Sequence, residues 1–146
     1  MKIYIDNCAL QRPLDDKDQI RIAIEAEAIL GVISLCDSGK IELIGSDALV
    51  FEAQKTPNLT RKEYIFEVLA RATKFIQLNA AIEKRAKEFD NVGIKPLDAL
   101  HLSSAEEANA DYFCTCDDRF LRKAKKLKDV KIKVVSPLEL IQEIDK

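Results

Sequence analysis

Short apolar runs alternate along the chain with longer stretches in which apolar positions recur every three or four residues. The runs at 2–5 (KIYI), 41–44 (IELI), 75–78 (FIQL), 112–115 (YFCT) and 132–135 (IKVV) are brief and rich in β-branched or aromatic residues. Each reads as a strand, being too short for a stable helix. Residues 20–35 carry Ile22, Ala26, Ile29 and Ile33 at helical spacing, which predicts a long helix stopping near Gly39. A short helix is expected over 47–55, closed by Pro57. Thr60 with Glu63 three residues later looks like a capping box for a helix to about residue 72. Ile82, Ala86 and Phe89 share one face of the next helix. Pro96 suits the first turn of another, running to about Ala108. Further helices are expected over 118–127 and from Pro137 onward.

Strands separated by helices predict parallel pairing through right-handed crossovers, with helices on both faces. The expected fold class is α/β: a three-layer α/β/α sandwich around a central parallel sheet. Its 146 residues suit one domain over 1–146. The chain is 47% hydrophobic and 33% charged, which excludes a disordered polypeptide. The start, MKIYIDNCAL, is too polar for a signal peptide. No apolar run approaches the ~18 residues that span a bilayer. No membrane association and a cytoplasmic location are therefore expected. Cys8, Cys36, Cys114 and Cys116 include no C-x-x-C pair and read as reduced thiols.

A net charge of -2 gives no whole-molecule reason to bind nucleic acid. Local charge does. Residues 119–133 (RFLRKAKKLKDVKIK) set Arg119, Arg122, Lys123, Lys125, Lys126, Lys128, Lys131 and Lys133 against Asp129 alone. Such a run is either a solvated face or a patch that tracks phosphates. No aromatic platform for base stacking stands out.

In an open parallel sheet the active crevice lies beyond the carboxyl ends of the strands. Asp6 follows the first strand and Asp117 and Asp118 follow YFCT. Asp98 lies in the first turn of the helix leading into YFCT, and Glu52 in the helix after the second strand. Singly, most have local explanations: Asp98 complements a helix dipole, Asp117 or Asp118 caps a helix, Glu52 faces solvent. Asp6 is different, because a carboxylate continuing a buried strand is costly to desolvate unless paired or bound to metal. Converging carboxylates repel one another unless a cation neutralises them. Hard oxygen donors in a hydrated cluster suit Mg²⁺ or Mn²⁺.

The order and spacing of Y-I-D (Asp6), S-D-A-L-V-F-E (Glu52), L-D-A-L-H-L (Asp98) and F-C-T-C-D-D-R-F (Asp117) resemble the PIN domain. The closing V-V-S-P-L-E-L-I (134–141) resembles that family's last strand and helix. The resemblance implies a metal-dependent endoribonuclease acting on RNA. Many such domains are VapC-type toxins, so it also implies a cognate antitoxin and a homodimer. It further implies that Asp6, Glu52, Asp98 and Asp117 form the acidic cluster. Asp6, Asp98 and Asp117 then hold Mg²⁺ or Mn²⁺, and Glu52 orients water or assists as base. Asp117 is preferred to Asp118 by the T-x-D pattern with Phe120 three residues on, leaving Asp118 as an auxiliary.

Two departures stand out. The family usually has Thr or Ser after its first aspartate, where this chain has Asn7 and then Cys8. The Asn7 amide is expected to donate to a phosphate or a metal-bound water. The loop at 10–16 (LQRPLDD) also differs from common short toxins. His101, the one histidine, lies three residues after Asp98 and is expected to pack or bond behind the site.

The alternative reading is a PIN-like module that binds RNA or protein without turnover, against which the full set of four acids argues. A receiver-type domain needs adjacent acids after its first strand, and here Asn7 follows Asp6. An aspartyl phosphatase needs D-x-D, and the chain reads Asp6-Asn7-Cys8. Gly-rich nucleotide loops and G-x-S-x-G are absent.

Overall fold

A computed structural model describes residues 1–146. The chain runs β1 (Lys2–Ile5), α1 (Asn7–Leu10), a 3₁₀ turn (Arg12–Leu14), α2 (Ile20–Asp37), β2 (Glu42–Ser46), α3 (Asp47–Gln54) and α4 (Leu59–Leu69). It continues through β3 (Lys74–Ile76), α5 (Ala80–Asn91), α6 (Pro96–Glu107), β4 (Tyr112–Cys114), α7 (Asp118–Lys126), β5 (Lys133–Val135) and α8 (Pro137–Ile144). The five strands form one sheet in the order β3-β2-β1-β4-β5, every pair parallel. Helices cover both faces, so the α/β/α expectation holds.

The strands read as near-continuous apolar runs because each face of the sheet meets a core. Ile3, Ile5, Leu43 and Val135 face one core, shared with Ile29 and Val32 of α2, Ile65 of α4 and Leu140 of α8. Tyr4, Ile44, Phe113 and Val134 face the other, with Phe89 of α5, Leu102 of α6 and Phe120 of α7. Tyr4 stacks on Phe113 at 5.1 Å between centroids, and Phe113 meets the edge of Phe120 at 5.4 Å. That stack ties β1, β4 and α7 together, which are the elements carrying Asp6 and Asp117.

The topology sets the site. From β1 the chain builds outward through β2 and β3, then returns to place β4 on β1's other side. The carboxyl ends of β1 and β4 therefore flank the switch in strand order, where crevices form in such sheets. Asp6 N–H donates to the Cys114 carbonyl at 3.1 Å, extending the β1–β4 ladder to the first acidic residue.

Element boundaries differ from expectation where local chemistry decides them. α4 starts at Leu59 because Asn58 caps it, its side chain accepting from the Arg61 N–H at 3.0 Å. Thr60 and Glu63 thus lie within the helix, and the expected capping box there does not form. A capping box opens α8 instead, where Ser136 accepts from Glu139 N–H and Glu139 accepts from Ser136 N–H. β3 is centred nearer Phe75 than the 75–78 run implied. The loop at 10–16 is largely folded by α1 and the 3₁₀ turn. α2 ends as expected before Gly39, whose φ of 79° is the left-handed turn that glycine allows after a helix. No helix is long and apolar enough to cross a membrane.

Candidate active site

Asp6 sits at the mouth of the sheet with only 6% of its surface exposed. Its side chain caps α1, accepting from Ala9 N–H at 3.1 Å, and Oδ1 also accepts from the Cys8 thiol at 3.0 Å. The Thr115 hydroxyl lies 3.6 Å from the same Cys8 thiol and favours the ionised Asp6 carboxyl. Burial nevertheless pushes that carboxyl above the usual range, these contacts opposing the rise. The same Thr115 hydroxyl accepts from Asp117 N–H at 3.1 Å. Through Cys8 on one side and the Asp117 N–H on the other, Thr115 links the two acidic ends, a role carried by the T-x-D pattern but not visible in it.

Asp117 caps α7, its Oδ1 accepting from Arg119 and Phe120 N–H groups at 3.0 and 3.1 Å. Asp118, next to it, is spent elsewhere: both its oxygens meet Arg21 at 2.6 Å on the outer surface. The auxiliary role expected for Asp118 is not supported by this geometry, because a second cation already neutralises it. Asp98 lies in the first turn of α6 beside Pro96. Its carboxyl is raised to about 6, first by desolvation and then by the charges of Asp6, Asp117 and Glu52, with His101 opposing. Asp98 therefore feels the acids carried by the end of β1, α3 and the β4–α7 turn across the crevice.

Glu52 is held from behind. Its Oε1 accepts from Asn7 Nδ2 at 2.9 Å and lies 2.9 Å from His101 Nε2. Burial raises its carboxyl, but His101 and Asn7 outweigh that and leave it below the usual range. His101 is itself buried, with Nδ1 2.7 Å from the Tyr4 hydroxyl, which lies 2.7 Å from Ser46 Oγ. Ser46 Oγ accepts from Leu49 N–H at 3.0 Å and caps α3, the helix that carries Glu52.

The expectation for Asn7 needs correction. Its Nδ2 is turned inward to Glu52 and the Leu49 carbonyl, and the residue is buried, so it donates to no phosphate or water in the cleft. Neither Tyr4 nor Ser46 stood out in the sequence. Both look like ordinary core and cap positions until α6 brings His101 between Tyr4 and Glu52.

No three of the histidine, cysteine, aspartate or glutamate side chains converge into a ready-made metal chelate. The acids are coupled through space yet held apart, as like charges in a half-dry crevice would be. An all-oxygen donor set spaced in this way fits a hydrated dication such as Mg²⁺ or Mn²⁺, which binds through one or two carboxylates and keeps several waters. The one thiol that meets Asp6, Cys8, donates to that carboxylate rather than adding a soft donor to the set.

Asp98 and Asp117 open into a cleft whose other walls include Lys95, Arg119 and Lys123. Lys123 also donates to the Gly93 carbonyl at 3.1 Å, across the cleft wall. Farther along the basic run the charges are paired: Lys125 meets Glu139 at 2.5 Å and Lys133 meets Glu143. The run thus divides into a part that faces the acids and a part that ties α7 and β5 to α8.

A family model described as PIN domain matches residues 3–126. No curated protein sequence matches the chain. Among solved structures, VapBC-1 from nontypeable Haemophilus influenzae superimposes with a TM-score of 0.60 at 13% identity, covering 94% of this chain and 99% of that one. FitAcB from Neisseria gonorrhoeae gives 0.56 at 14%, covering 93% and 98%. VapC20 from Mycobacterium tuberculosis, described as a sarcin-ricin loop cleaving toxin, gives 0.54 at 14%, covering 88% and 98%. At these identities the likeness is one of fold.

Proposed function

The chain belongs to the PIN domain family, and on that premise we propose that it is a Mg²⁺- or Mn²⁺-dependent endoribonuclease, hydrolysing RNA phosphodiester bonds at Asp6, Glu52, Asp98 and Asp117. The observation that carries this reading is the placement of Asp98, which shares a cleft with Asp117 and lies close enough to Asp6, Asp117 and Glu52 that burial and their charges push its carboxyl up. A crowded, half-buried set of negative charges is expensive for a fold to keep, and a bound dication removes the expense. Asp6, Asp98 and Asp117 are the residues that hold it. When bound there, the ion supplies Lewis acidity toward the scissile phosphate and lowers the proton affinity of attacking water.

The chain's own groups do the rest. Arg119 and Lys123 at the cleft wall receive the RNA backbone, balancing a negative substrate against a negative floor. Glu52 keeps Oε1 engaged by Asn7 and His101, leaving Oε2 to orient the attacking water and take its proton. Its lowered proton affinity keeps it ionised for that role at neutral pH. His101 is too buried to reach a substrate, so acid–base work does not fall to it.

A toxin role, with a cognate antitoxin as partner and a homodimer as the working form, is supported by the likeness in fold to VapBC-1 and to the VapC20 toxin. Such an antitoxin blocks cleavage and rescues growth when co-expressed. A second reading, a PIN module that binds RNA or protein without cleaving, draws on the absence of a ready-made chelate. One assay separates them: RNA incubated with wild type or Asp6→Asn, in Mn²⁺ or in EDTA. Cleavage that needs metal and vanishes in Asp6→Asn supports the nuclease; binding without cleavage in every condition supports the module.

A further inference from the structure

Behind Glu52 stands a buried line of polar groups that neither the family pattern nor the cleft accounts for. Ser46 Oγ, Tyr4 Oη, His101 and Glu52 Oε1 follow one another at 2.7, 2.7 and 2.9 Å. Tyr4 and Ser46 are fully buried and His101 is 2% exposed, so every proton in the line needs an acceptor within the protein. One direction meets that need. Leu49 N–H donates to Ser46 Oγ, Ser46 O–H to Tyr4 Oη, Tyr4 O–H to His101 Nδ1, and His101 Nε2–H to Glu52 Oε1. In the reverse direction, with Nδ1–H donating to Tyr4 and Tyr4 to Ser46, the Ser46 proton has no acceptor among the groups it meets, and Ser46 Oγ already receives the Leu49 N–H. An orphaned buried hydroxyl proton is costly, so the first direction prevails.

We propose that this line, starting from the amide of α3 and passing through Ser46 and Tyr4, fixes His101 in its Nε2–H tautomer, and that His101 and Asn7 together hold Glu52 by one oxygen so that the other is presented in a single orientation. Tyr4, His101 and Asn7 are positioning residues: none touches the cleft, and each acts through Glu52. The line begins and ends on the same eight-residue helix, since Ser46 caps α3 and Glu52 lies in its second turn. It passes through β1 and α6 between those points. The sequences that carry Asp6 and Asp98 are thereby locked to the element that carries Glu52, so hydrogen bonds within the protein set the spacing of the three acids. The second donor, Asn7 Nδ2, comes from the residue directly after Asp6 and reinforces the same lock. The arrangement resembles the way buried hydrogen bonds orient functional groups generally, where loss of a supporting partner costs 10–100-fold in activity or affinity.

The role in turnover rests on the nuclease reading; the tautomer does not, and the experiment keeps them apart. The chain has one histidine, so a long-range ¹H–¹⁵N spectrum of the full ¹⁵N-labelled protein contains one imidazole. The expected wild-type pattern at neutral pH is a protonated Nε2 and an unprotonated, hydrogen-bonded Nδ1. Tyr4→Phe, which removes only the hydroxyl, should shift Nδ1 and bring the two tautomers into exchange. A wild-type imidazole carrying its proton on Nδ1, or already averaging between tautomers, would overturn the proposal whether or not the protein cleaves RNA. In Mn²⁺-dependent cleavage, His101→Leu is expected to lower kcat about 10–100-fold with KM little changed. His101→Gln, which keeps an N–H donor near the Nε2 position, should recover most of that loss, with thermal melting confirming that both variants fold. Equal kcat for His101→Leu, His101→Gln and wild type would refute the positioning role. No cleavage by wild type would remove the nuclease reading, and the imidazole spectrum would still decide the lock.

Discussion

Arg21 grips Asp118 with both terminal nitrogens, Nη1 to Oδ2 and Nη2 to Oδ1, each at 2.6 Å. The pair joins the first turn of α2 to the first turn of α7, and Arg21 also reaches the buried Glu25, which Arg12 holds from the 3₁₀ turn. Two adjacent aspartates therefore do different work. Asp117 turns into the crevice and caps α7; Asp118 turns out and clamps α2.

Neutralising each in turn separates the two. Asp117→Asn keeps a good cap, since asparagine caps as well as aspartate, and is expected to lower metal-dependent cleavage by at least about 100-fold, more than loss of a supporting partner usually costs. Asp118→Asn should cleave within about threefold of wild type. Its stability should change by no more than about 1 kcal/mol, because the ion pair is half exposed and screened. Initial rates on a labelled RNA, with urea unfolding of the same samples, check both. Equal losses from the two substitutions would remove Asp117 from its place in the cluster.

The crowding of Asp98 makes a prediction in the opposite sense from most substitutions. In the folded metal-free protein its carboxyl is raised from about 3.8 to about 6, so between those values the native state binds more protons than the unfolded one. Native stability consequently falls as pH rises through that window, and the cost is fully present above about pH 6. Asp98→Asn removes the charge and should stabilise the protein in EDTA at pH 7 to 8. With solvent screening of a partly exposed group, the gain is on the order of 1 kcal/mol. It should shrink as pH falls from 6 toward 4. Chemical unfolding of both proteins at several pH values tests this, and a destabilised Asp98→Asn at pH 8 would contradict the assigned crowding. Mn²⁺ should raise the melting temperature of wild type, and the same substitution should abolish that rise.

How far the sequence carried this reading depends on the range of each determinant. The strands and long helices were legible because burial on both faces of the sheet leaves apolar runs, and burial on one face leaves a helical period. The cap of α4 was misplaced because Thr60 and Glu63 have the right spacing, while Asn58 already caps the helix by accepting from the Arg61 amide in its first turn. α1 was invisible, since four residues carry no period and its cap is Asp6 itself. Asp6 and Asp117 stood out by their positions after strands, while Glu52 and Asp98 joined them only through the resemblance to the PIN domain. Their support was not legible: Tyr4 and His101 lie 97 residues apart, and nothing local to either marks the hydrogen bond between them. Asn7 shows the same limit. Its place after Asp6 pointed toward the substrate, yet its side chain turns to Glu52, 45 residues away.

Asn7 is 2% exposed and gives its neutral amide donor to the Glu52 carboxylate and the Leu49 carbonyl. Asn7→Asp replaces that donor with a second acid against Glu52 Oε1, at almost unchanged size. An uncompensated buried charge costs about 3 kcal/mol or more, so the variant should unfold at clearly lower urea at pH 8. It should recover on acidification, as the introduced carboxyl takes up a proton and can again donate to Glu52. An Asn7→Asp protein as stable as wild type at pH 8 would mean that the amide is not held against Glu52.

Divided use of the basic run gives the last prediction. Binding of RNA by phosphate contacts releases counterions, so the logarithm of affinity falls with the logarithm of salt in proportion to the contacts made. Arg119 and Lys123 line the cleft beside Asp98 and Asp117, whereas Lys125 and Lys133 are already paired with Glu139 and Glu143. Each of Arg119→Ala and Lys123→Ala should weaken binding to single-stranded RNA across sequences and reduce the salt slope by roughly 0.7, the value for one contact on a single strand. Lys125→Ala and Lys133→Ala should leave the slope unchanged, because each lysine spends its charge on α8. Catalytically inactive Asp6→Asn serves as the background, so that binding is read without cleavage, by fluorescence anisotropy between 50 and 300 mM salt (about a sixfold range, ample for a slope). Equal slope changes from all four lysine and arginine substitutions would mean that the RNA follows the whole run rather than the cleft, and that the path to Asp98 and Asp117 lies elsewhere.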